Sequence, residues 1–205
     1  FLFALNEDGS YTIYTKASNL KSCVEVENAS KSSGANVQQY ESNGNACQHW
    51  ILEETTAAGV KLDTSQVYQF QNANSALYLE VKDASAEAGA NVQQWGANGN
   101  DCQNWTLKEF GDGYYYILSR LGDGKTYYLD VAEGKGDDGT NIQIFTNTKT
   151  SAQLFKFIPN PDGTYYIVTR ASKDKGALGV AAASKEQGAN VLQWTKNGSM
   201  DQMWN

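Results

Sequence analysis

Residues 89–105 read GANVQQWGANGNDCQNW, and three further segments of the chain repeat this pattern. They are GANVQQYESNGNACQHW at 34–50, GTNIQIFTNTKTSAQLF at 139–155 and GANVLQWTKNGSMDQMW at 188–204. Each segment closes on an aromatic residue, and these aromatics recur at intervals of about 50 residues. A period of this length along the whole chain indicates a protein of four similar units, which we number one to four in chain order.

Each unit contains four short segments in which apolar and polar residues alternate, which is the pattern of β-strands. The first segment is aromatic and β-branched, and the second is a triplet with a central acid in units one to three. The third follows Gly-Ala or Gly-Thr, and the fourth carries Gln-x-aromatic. Asn98-Gly99 lies between the third and fourth segments of unit two, and Asn-Gly is typical of a tight hairpin turn. The sequence therefore predicts an all-β fold with a tight turn at this point of the unit.

Alternation along a strand assigns side chains to faces. In residues 36–40 it places Val37 on one face and Asn36, Gln38 and Tyr40 on the other. We therefore expect the valine and the closing aromatic of each unit to form the core. The opposite face is expected to gather a carboxylate, a glutamine and an aromatic ring.

The composition argues against several classes of function. Sixteen Lys and Arg against 23 Asp and Glu give a net charge of −7, which lacks the positive footprint needed to bind nucleic acid or an anionic membrane surface. No stretch reaches the roughly 18 apolar residues of a membrane span, so no membrane insertion is expected. The three cysteines, Cys23, Cys47 and Cys102, form no metal-binding motif, and we expect neither a metal nor a cofactor. A Cys23–Cys47 bridge stays open at this point.

The sequence contains no catalytic constellation. His49, the single histidine, has no Ser or Cys partner suggested by the repeat. The acids of the triplets belong to separate units, whereas the paired carboxylates of glycosidases lie within about 5–9.5 Å of each other. Phosphate-binding loops and nucleophile elbows are also missing from the sequence. The chain is therefore expected not to be an enzyme.

Taken together, the motifs resemble the ricin B-type lectin family, which overlaps the family-13 carbohydrate-binding modules. The resemblance rests on the Asn-Val-Gln-Gln-Trp strand, the apolar–acid–Val triplet and four Gln-x-aromatic motifs in register, and it covers essentially the whole chain. It implies a β-trefoil, in which three units of four strands form a six-stranded barrel capped by three hairpins. It also implies non-catalytic carbohydrate binding.

The resemblance further implies a set of sugar-binding residues in each unit: the carboxylate of the triplet, the first Gln of the third strand and the aromatic that follows. They are Glu25, Gln38 and Tyr40 in unit one, Glu80, Gln93 and Trp95 in unit two, and Asp130, Gln143 and Phe145 in unit three. Unit four keeps only Trp194, because Gly179 and Leu192 replace the acid and the Gln. Units one and two carry Glu where the family usually has Asp.

Four units exceed the three of one trefoil. We assign residues 1–55 to a single repeat, the last unit of a preceding trefoil, and residues 56–205 to a complete trefoil. The reason is the long, polar junction at 53–66, which favours a domain boundary there. A register in which units one to three close the barrel is the alternative. Phe1 aligns with the closing aromatic Phe155, which suggests part of a larger polypeptide.

The expected function is to target a secreted multidomain protein, with a glycoside hydrolase as the expected partner domain, to polysaccharide or cell-surface glycan. The expected ligand is a neutral saccharide or polysaccharide of galactose or xylose type, and the sequence does not decide between them. The alternative is a structural or protein-interaction trefoil that binds no sugar. Secretion is expected from the composition, which is poor in cysteine and rich in Gly and Asn.

Overall fold

The computed structural model of the chain describes residues 1–52 and 60–205. The chain divides into two compact units, Phe1–Thr56 and Ala57–Asn205. The boundary between them falls in residues 53–59, outside the described residues. The assignment of residues 1–55 to a preceding trefoil stays a prediction.

The smaller unit is one antiparallel sheet. Its strands are β1 (Leu2–Leu5), β2 (Tyr11–Tyr14), β3 (Ser22–Val26), β4 (Val37–Glu41) and β5 (His49–Trp50). They pair in the order β1-β2-β3-β4, and β5 pairs with β2. The alternating segments of unit one thus form the predicted strands, with the acid-bearing β3 beside the Gln-bearing β4.

The larger unit repeats this arrangement three times. Its strands are β6 (Val67–Tyr68), β7 (Tyr78–Val81), β8 (Ala90–Trp95), β9 (Trp105–Gly111), β10 (Tyr114–Ser119), β11 (Tyr127–Val131), β12 (Thr140–Thr146), β13 (Phe155–Pro159), β14 (Tyr165–Thr169), β15 (Gly176–Val180), β16 (Val191–Thr195) and β17 (Met203–Trp204). All pairings among them are antiparallel. Strands of period-two sequence have therefore formed in each unit as alternation predicts.

Two sets of strands make a β-trefoil. β6, β9, β10, β13, β14 and β17 pair in sequence as a six-stranded barrel, which closes where Gln71 and Asn205 exchange two backbone hydrogen bonds of 3.1 and 2.8 Å. The hairpins β7–β8, β11–β12 and β15–β16 cap it, and β12 pairs with both β8 and β16. Closure of the barrel removes its sheet edges.

The helical structure consists of three-residue 3₁₀ segments. Within the described residues these are Lys16–Ser18, Glu27–Ala29, Ala46–Gln48, Lys82–Ala84, Asp101–Gln103, Ala132–Gly134, Ser151–Gln153, Arg170–Ser172, Ala181–Ala183 and Met200–Gln202. None of the helices described is long and apolar enough to cross a bilayer. One segment precedes each closing aromatic, where it sets the position of the Gln of Gln-x-aromatic.

The tight hairpin predicted at Asn98-Gly99 is wrong, although the turn itself is present. Gly99 has a φ of +72°, as the Asn-Gly signal requires. β8 and β9, however, do not pair with each other, because β8 belongs to a cap hairpin and β9 to the barrel. The turn and the 3₁₀ segment Asp101–Gln103 carry the chain from one layer to the other.

The core of the larger unit contains the residues that alternation assigned to it. Val92, Ile142 and Val191 are fully buried, as are the closing aromatics Trp105 and Phe155. Trp105 also donates its indole N–H to the carbonyl of Leu79 at 3.3 Å, and Trp204 does the same to Leu178 at 3.1 Å. Trp105 and Trp204 thus each contribute apolar burial and satisfy a strand carbonyl, whereas Phe155 contributes burial alone. The expectation is wrong for unit one, where Val37 is 53% exposed and Trp50 is only half-buried, because β4 is the edge strand of a single sheet.

A ring of three asparagines lies where the three cap hairpins meet. Asn91 donates to Asn190, Asn190 to Asn141 and Asn141 to Asn91, each through its amide nitrogen at 2.9 Å. Each comes from the Gly-Ala/Thr-Asn motif of a different unit, so the ring follows the pseudo-threefold symmetry. Asn36 is the equivalent residue of unit one, and it is exposed.

Candidate functional site

The cap hairpins place the acid and the Gln of each predicted set directly opposite each other. In units one to three the two residues are cross-strand partners: Glu25 with Gln38, Glu80 with Gln93, and Asp130 with Gln143. The Gln amide donates to the carboxylate at 3.0, 3.0 and 2.9 Å respectively. The structure therefore brings these predicted pairs together in all three units.

The aromatic residue of each set lies two positions after the Gln, on the same side of the strand. Tyr40 and Trp95 are 53% and 40% exposed, and Phe145 is half-buried. Trp95 rests on the backbone of Gly188, where a Cβ would lie 3.4 Å from the ring. Gly188 of unit four, whose φ is +81°, thus lies in van der Waals contact with the aromatic surface of unit two.

The acids are buried, although alternation placed them on the outer face. Glu25, Glu80 and Asp130 are only 6%, 5% and 3% exposed. They lie on the face away from the core, but the loop that follows the third strand covers them. A carboxylate in such a place needs hydrogen-bond donors to stay ionised.

In unit two, both oxygens of the Glu80 carboxylate receive amide hydrogen bonds. Gln93 donates to Oε1 at 3.0 Å, while Asn98 and Gln103 donate to Oε2 at 2.7 and 2.9 Å. Asn98 is a residue that the sequence interpretation missed, because it was assigned only to the turn. Its position three residues after the aromatic is the signal that points to it.

Unit one follows the same plan. Gln38 donates to Glu25 Oε1 at 3.0 Å and Gln48 to Oε2 at 2.8 Å. Both oxygens are again engaged by side chains of the same unit. The Glu residues therefore act as internal acceptors that hold each cap hairpin onto its following loop.

Unit three differs because aspartate is one methylene shorter. Gln143 donates to Asp130 Oδ1 at 2.9 Å, and no described residue makes a hydrogen bond to Oδ2. Gln153, the counterpart of Gln103, donates instead to the carbonyl of Thr146 at 2.9 Å. Asp130 thus keeps an acceptor oxygen for an external donor.

This acceptor lies in a cavity. The cavity has a volume of about 530 Å³ and is lined by Asp130, Glu133, Gly134, Gln143, Phe145, Thr148, Thr150, Ser151 and Ala152. Burial raises the pKa of the Asp130 carboxyl, and the hydrogen bond from Gln143 acts in the opposite direction. The Gln153 amide also lies near enough to lower this pKa, although its hydrogen bond goes to the Thr146 carbonyl. A hydroxyl donor entering the cavity replaces the water that such a carboxylate otherwise needs.

The Gln of Gln-x-aromatic has a structural role in every unit. Its amide oxygen accepts a backbone N–H and its nitrogen donates to a backbone carbonyl of the same loop. The residues are Gln48, Gln103, Gln153 and Gln202. They fix the loop that covers each acid.

The cysteines and potential metal ligands add no second site. Cys23, Cys47 and Cys102 are free thiols, so the Cys23–Cys47 bridge left open by the sequence is not formed. In residues 1–52 and 60–205, no three His, Cys, Asp or Glu side chains are grouped to hold a metal ion. The chemistry on offer is therefore hydrogen bonding beside an aromatic surface.

Comparison with known proteins gives the family. The family described as "Ricin-type beta-trefoil lectin domain-like" matches residues 1–66, 60–145 and 124–194. The clotting factor G alpha subunit of Tachypleus tridentatus is 36% identical over 69 residues, which are 33% of this chain. The match spans only 10% of that curated relative.

Solved structures share the fold. The designed threefold-symmetric protein ThreeFoil is 34% identical with a TM-score of 0.64, over 68% of this chain and 96% of its own. The exo-β-1,3-galactanase 1,3Gal43A of Clostridium thermocellum is 23% identical with a TM-score of 0.63, over 100% of this chain and 44% of its own. The Macrolepiota procera ricin B-like lectin, solved with lactose, is 15% identical with a TM-score of 0.57, over 71% of this chain and 97% of its own. With its β-trefoil, its repeated motifs and a family match along most of its length, the chain belongs to the ricin-type β-trefoil lectin domain-like family.

Proposed function

We propose that this chain is a non-catalytic carbohydrate-binding module whose principal sugar site is the cavity of unit three. The observation that carries the proposal is the Asp130 carboxylate, one oxygen of which accepts no hydrogen bond from the described residues, at the wall of a cavity of about 530 Å³. Units one and two are secondary, because their Glu carboxylates are engaged on both oxygens.

The chemistry suits a neutral saccharide. An ionised carboxylate makes charge-assisted hydrogen bonds to sugar hydroxyls. The Gln143 amide is oriented by its bond to Asp130, which leaves its carbonyl oxygen as a second acceptor. The half-buried Phe145 ring offers an apolar surface for the C–H side of a pyranose.

A galactose-type ligand is the first choice. The Macrolepiota procera lectin was solved with lactose and an earthworm R-type lectin with GalNAc. Both relatives are under 25% identical to this chain, so they support the choice of probe and do not assign a ligand. Xylose-type saccharides are the second probe.

The proposed biological role is targeting. A single shallow site binds weakly, and several sites on one polymer raise retention through effective concentration. The role supposes a secreted multidomain protein, and the likeness to an exo-β-1,3-galactanase chain supports a glycoside hydrolase as the partner domain.

A structural or protein-binding role is the second candidate. One observation favours it for two of the hairpins: both carboxylate oxygens of Glu25 and of Glu80 accept hydrogen bonds from side-chain amides of their own unit. A glycan array on which the wild-type chain captures no saccharide, together with capture of a defined protein partner, would establish this alternative.

The test of the proposed site is Asp130→Asn, with Glu80→Gln as its matched control. Asp130→Asn keeps the acceptor for Gln143 and removes the charge, so we expect the affinity for lactose or xylo-oligosaccharide to fall by about tenfold or more, equivalent to roughly 1.4 kcal/mol. Glu80→Gln is expected to leave that affinity within about twofold, because the Glu80 carboxylate is already hydrogen-bonded by side-chain amides of its own unit. Calorimetric titration and retention on polysaccharide gels measure both. Equal binding by Asp130→Asn and wild type would exclude the site.

A length swap tests the reason for the difference between units. Asp130→Glu extends the carboxylate toward the Gln153 amide, reproducing the internal pairing that Glu80 makes with Gln103. We expect it to abolish binding in unit three without lowering the free energy of unfolding. Retained affinity in Asp130→Glu would show that the free oxygen is not the deciding feature.

A further inference from the structure

In the larger unit, the repeats join head to tail through one recurring backbone contact. The glycine that opens each Gly-x-Asn motif donates its N–H to a carbonyl in the third strand of the next repeat. The three pairs are Gly89 with Ile144, Gly139 with Gln193, and Gly188 with Gln94, each at 2.8 Å. Because the contact leads from unit two to three, from three to four and from four back to two, the ring closes after three repeats.

A glutamine side chain reinforces this junction in two of the three places. The Gln94 amide donates to two backbone carbonyls of unit four, those of Ser184 and Glu186, at 3.0 and 2.9 Å. The Gln193 amide donates likewise to two backbone carbonyls of unit three, at 3.2 and 3.0 Å. Both glutamines are fully buried, and a buried amide needs such partners. A glutamine in this position therefore belongs between two repeats.

Unit one carries both halves of the same junction without a neighbouring repeat against them. Gly34 takes the repeat position of Gly188, and Gln39 takes that of Gln94. Gln39 is exposed, and among the described residues neither its side chain nor the Gly34 N–H has a hydrogen-bond partner. A Cβ on Gly34 would meet no atom within 4 Å. The junction of unit one is therefore open on both sides.

Apolar side chains of unit one are uncovered in the same way. Phe3 is 51% exposed, whereas its repeat equivalents Leu107 and Phe157 are buried. Val37 is also exposed, although its equivalent Val92 is fully buried in the core of the larger unit. Exposed apolar groups that recur at core positions mark a surface that another molecule covers. We call Phe3, Gly34, Asn36, Val37 and Gln39 the junction face.

We propose that the junction face docks onto further copies of itself, so that three chains build one additional trefoil from their three copies of unit one. The face offers the Gly34 donor on one side and the Gln39 acceptor on the other, so one copy complements the next head to tail. Head-to-tail contacts form a closed ring when their rotation closes, and in the larger unit this junction closes at three. The proposal goes beyond carbohydrate binding and does not depend on it.

The choice of a second copy as the occupant follows from which junctions are already filled. Units two to four satisfy one another, so among the repeats described only unit one of another chain offers a matching open junction. None of the five residues of the junction face is charged, so copies meet there without opposing like charges. The exposed Asn36 of each copy then completes a second asparagine ring like that of Asn91, Asn141 and Asn190.

Sedimentation equilibrium of the full chain measures this assembly. One chain has a mass of 22.4 kDa, and we expect the wild-type mass to approach three times that value as the concentration rises. Val37→Asp buries an unpaired carboxylate in the junction and is expected to return the mass to that of one chain. Gln39→Ala, a change at an exposed side chain, is expected to raise the concentration of half dissociation by about tenfold.

Asn45→Asp is the matched control. It adds the same charge at an exposed position of unit one, and its equivalent Asn100 makes its hydrogen bonds within its own repeat. We expect this variant to stay trimeric. The indole N–H of Trp50 donates to the Val24 carbonyl at 3.0 Å, so its NMR signal reports that unit one is folded in each variant.

The outcomes separate the occupants of the face. A wild-type chain that stays monomeric at every concentration would overturn the proposal, and a folded Trp50 signal would then assign the face to repeats of a larger polypeptide. A dimer in place of a trimer would overturn it as well, because the junction closes at three. A trimer that Val37→Asp and Gln39→Ala leave intact, or that Asn45→Asp abolishes equally, would show that the junction face does not hold the copies together.

Discussion

The asparagine ring at the pseudo-threefold axis gives a sharp test of how the three units are joined. Asn141→Ala removes two of the three ring bonds: the one that Asn141 donates to Asn91 and the one that it accepts from Asn190. An isolated repeat has no such ring, so Asn36→Ala in unit one is the matched control.

The expected magnitude follows from the bonds lost. A side-chain hydrogen bond contributes about 0.5–1.5 kcal/mol net, and a half-buried partner left unpaired adds to that cost. Two bonds among half-buried amides therefore correspond to a loss of about 2 kcal/mol from the free energy of unfolding of the larger unit. For a unit of this size the loss lowers the Tm by roughly 4–8 °C.

Urea titration followed by NMR resolves the larger unit from the smaller one. The indole N–H signals of Trp105 and Trp204 report the larger unit, since both donate to its strand carbonyls. Asn36→Ala is expected to change the free energy of unfolding that these signals report by less than about 0.5 kcal/mol, the usual range for an exposed residue. A cost for Asn141→Ala no larger than that of Asn36→Ala would refute the view that the ring holds the units together.

Three further predictions concern charge and packing. Burial raises the pKa of Asp130 in the folded protein, so the free energy of unfolding falls as pH rises from the pKa of the unfolded chain to that of the folded one. Asp130→Asn should therefore match or exceed wild-type stability at neutral pH. Wild-type sugar binding should weaken as acidification passes the raised pKa. Asp174→Ala should lower the free energy of unfolding by roughly 3 kcal/mol, because it leaves the buried Lys156 without its carboxylate partner at 3.2 Å. It should also lower the pKa of Tyr114, which burial and the hydrogen bond to Asp174 raise to about 12, as measured by ultraviolet titration. Gly188→Ala should lower the free energy of unfolding by about 1–2 kcal/mol in a urea titration, because its φ is +81°. Unchanged values in any of the three would contradict the reasoning.

Much of the fold is readable in the chain because the information is local. Alternation in residues such as 91–95 assigns Val92 to the core and Gln93 to the opposite face, whatever the strand later pairs with. The Asn-Gly signal likewise sets the positive φ of Gly99. What the signal did not contain is the destination of the chain after the turn, so the hairpin predicted there was wrong.

The site shows the same division. Alternation placed each acid and its Gln on one face, and the structure shows that they are cross-strand partners. It did not reveal that the acids are buried, because the covering loop returns from farther along the chain. Nor did it reveal the role of Asn98, which depends on where that loop sets its side chain.

By itself, the sequence determined the repeated β unit, the core positions and the acid–Gln pairs, because strand periodicity and register are properties of neighbouring residues. Only the tertiary structure decided which carboxylate oxygens are engaged by side-chain amides of the described residues. A difference of one methylene separates Glu80, held on both oxygens, from Asp130, which keeps one open. The outcome depends on distances of a few tenths of an ångström between segments far apart in sequence, which only the closed trefoil fixes.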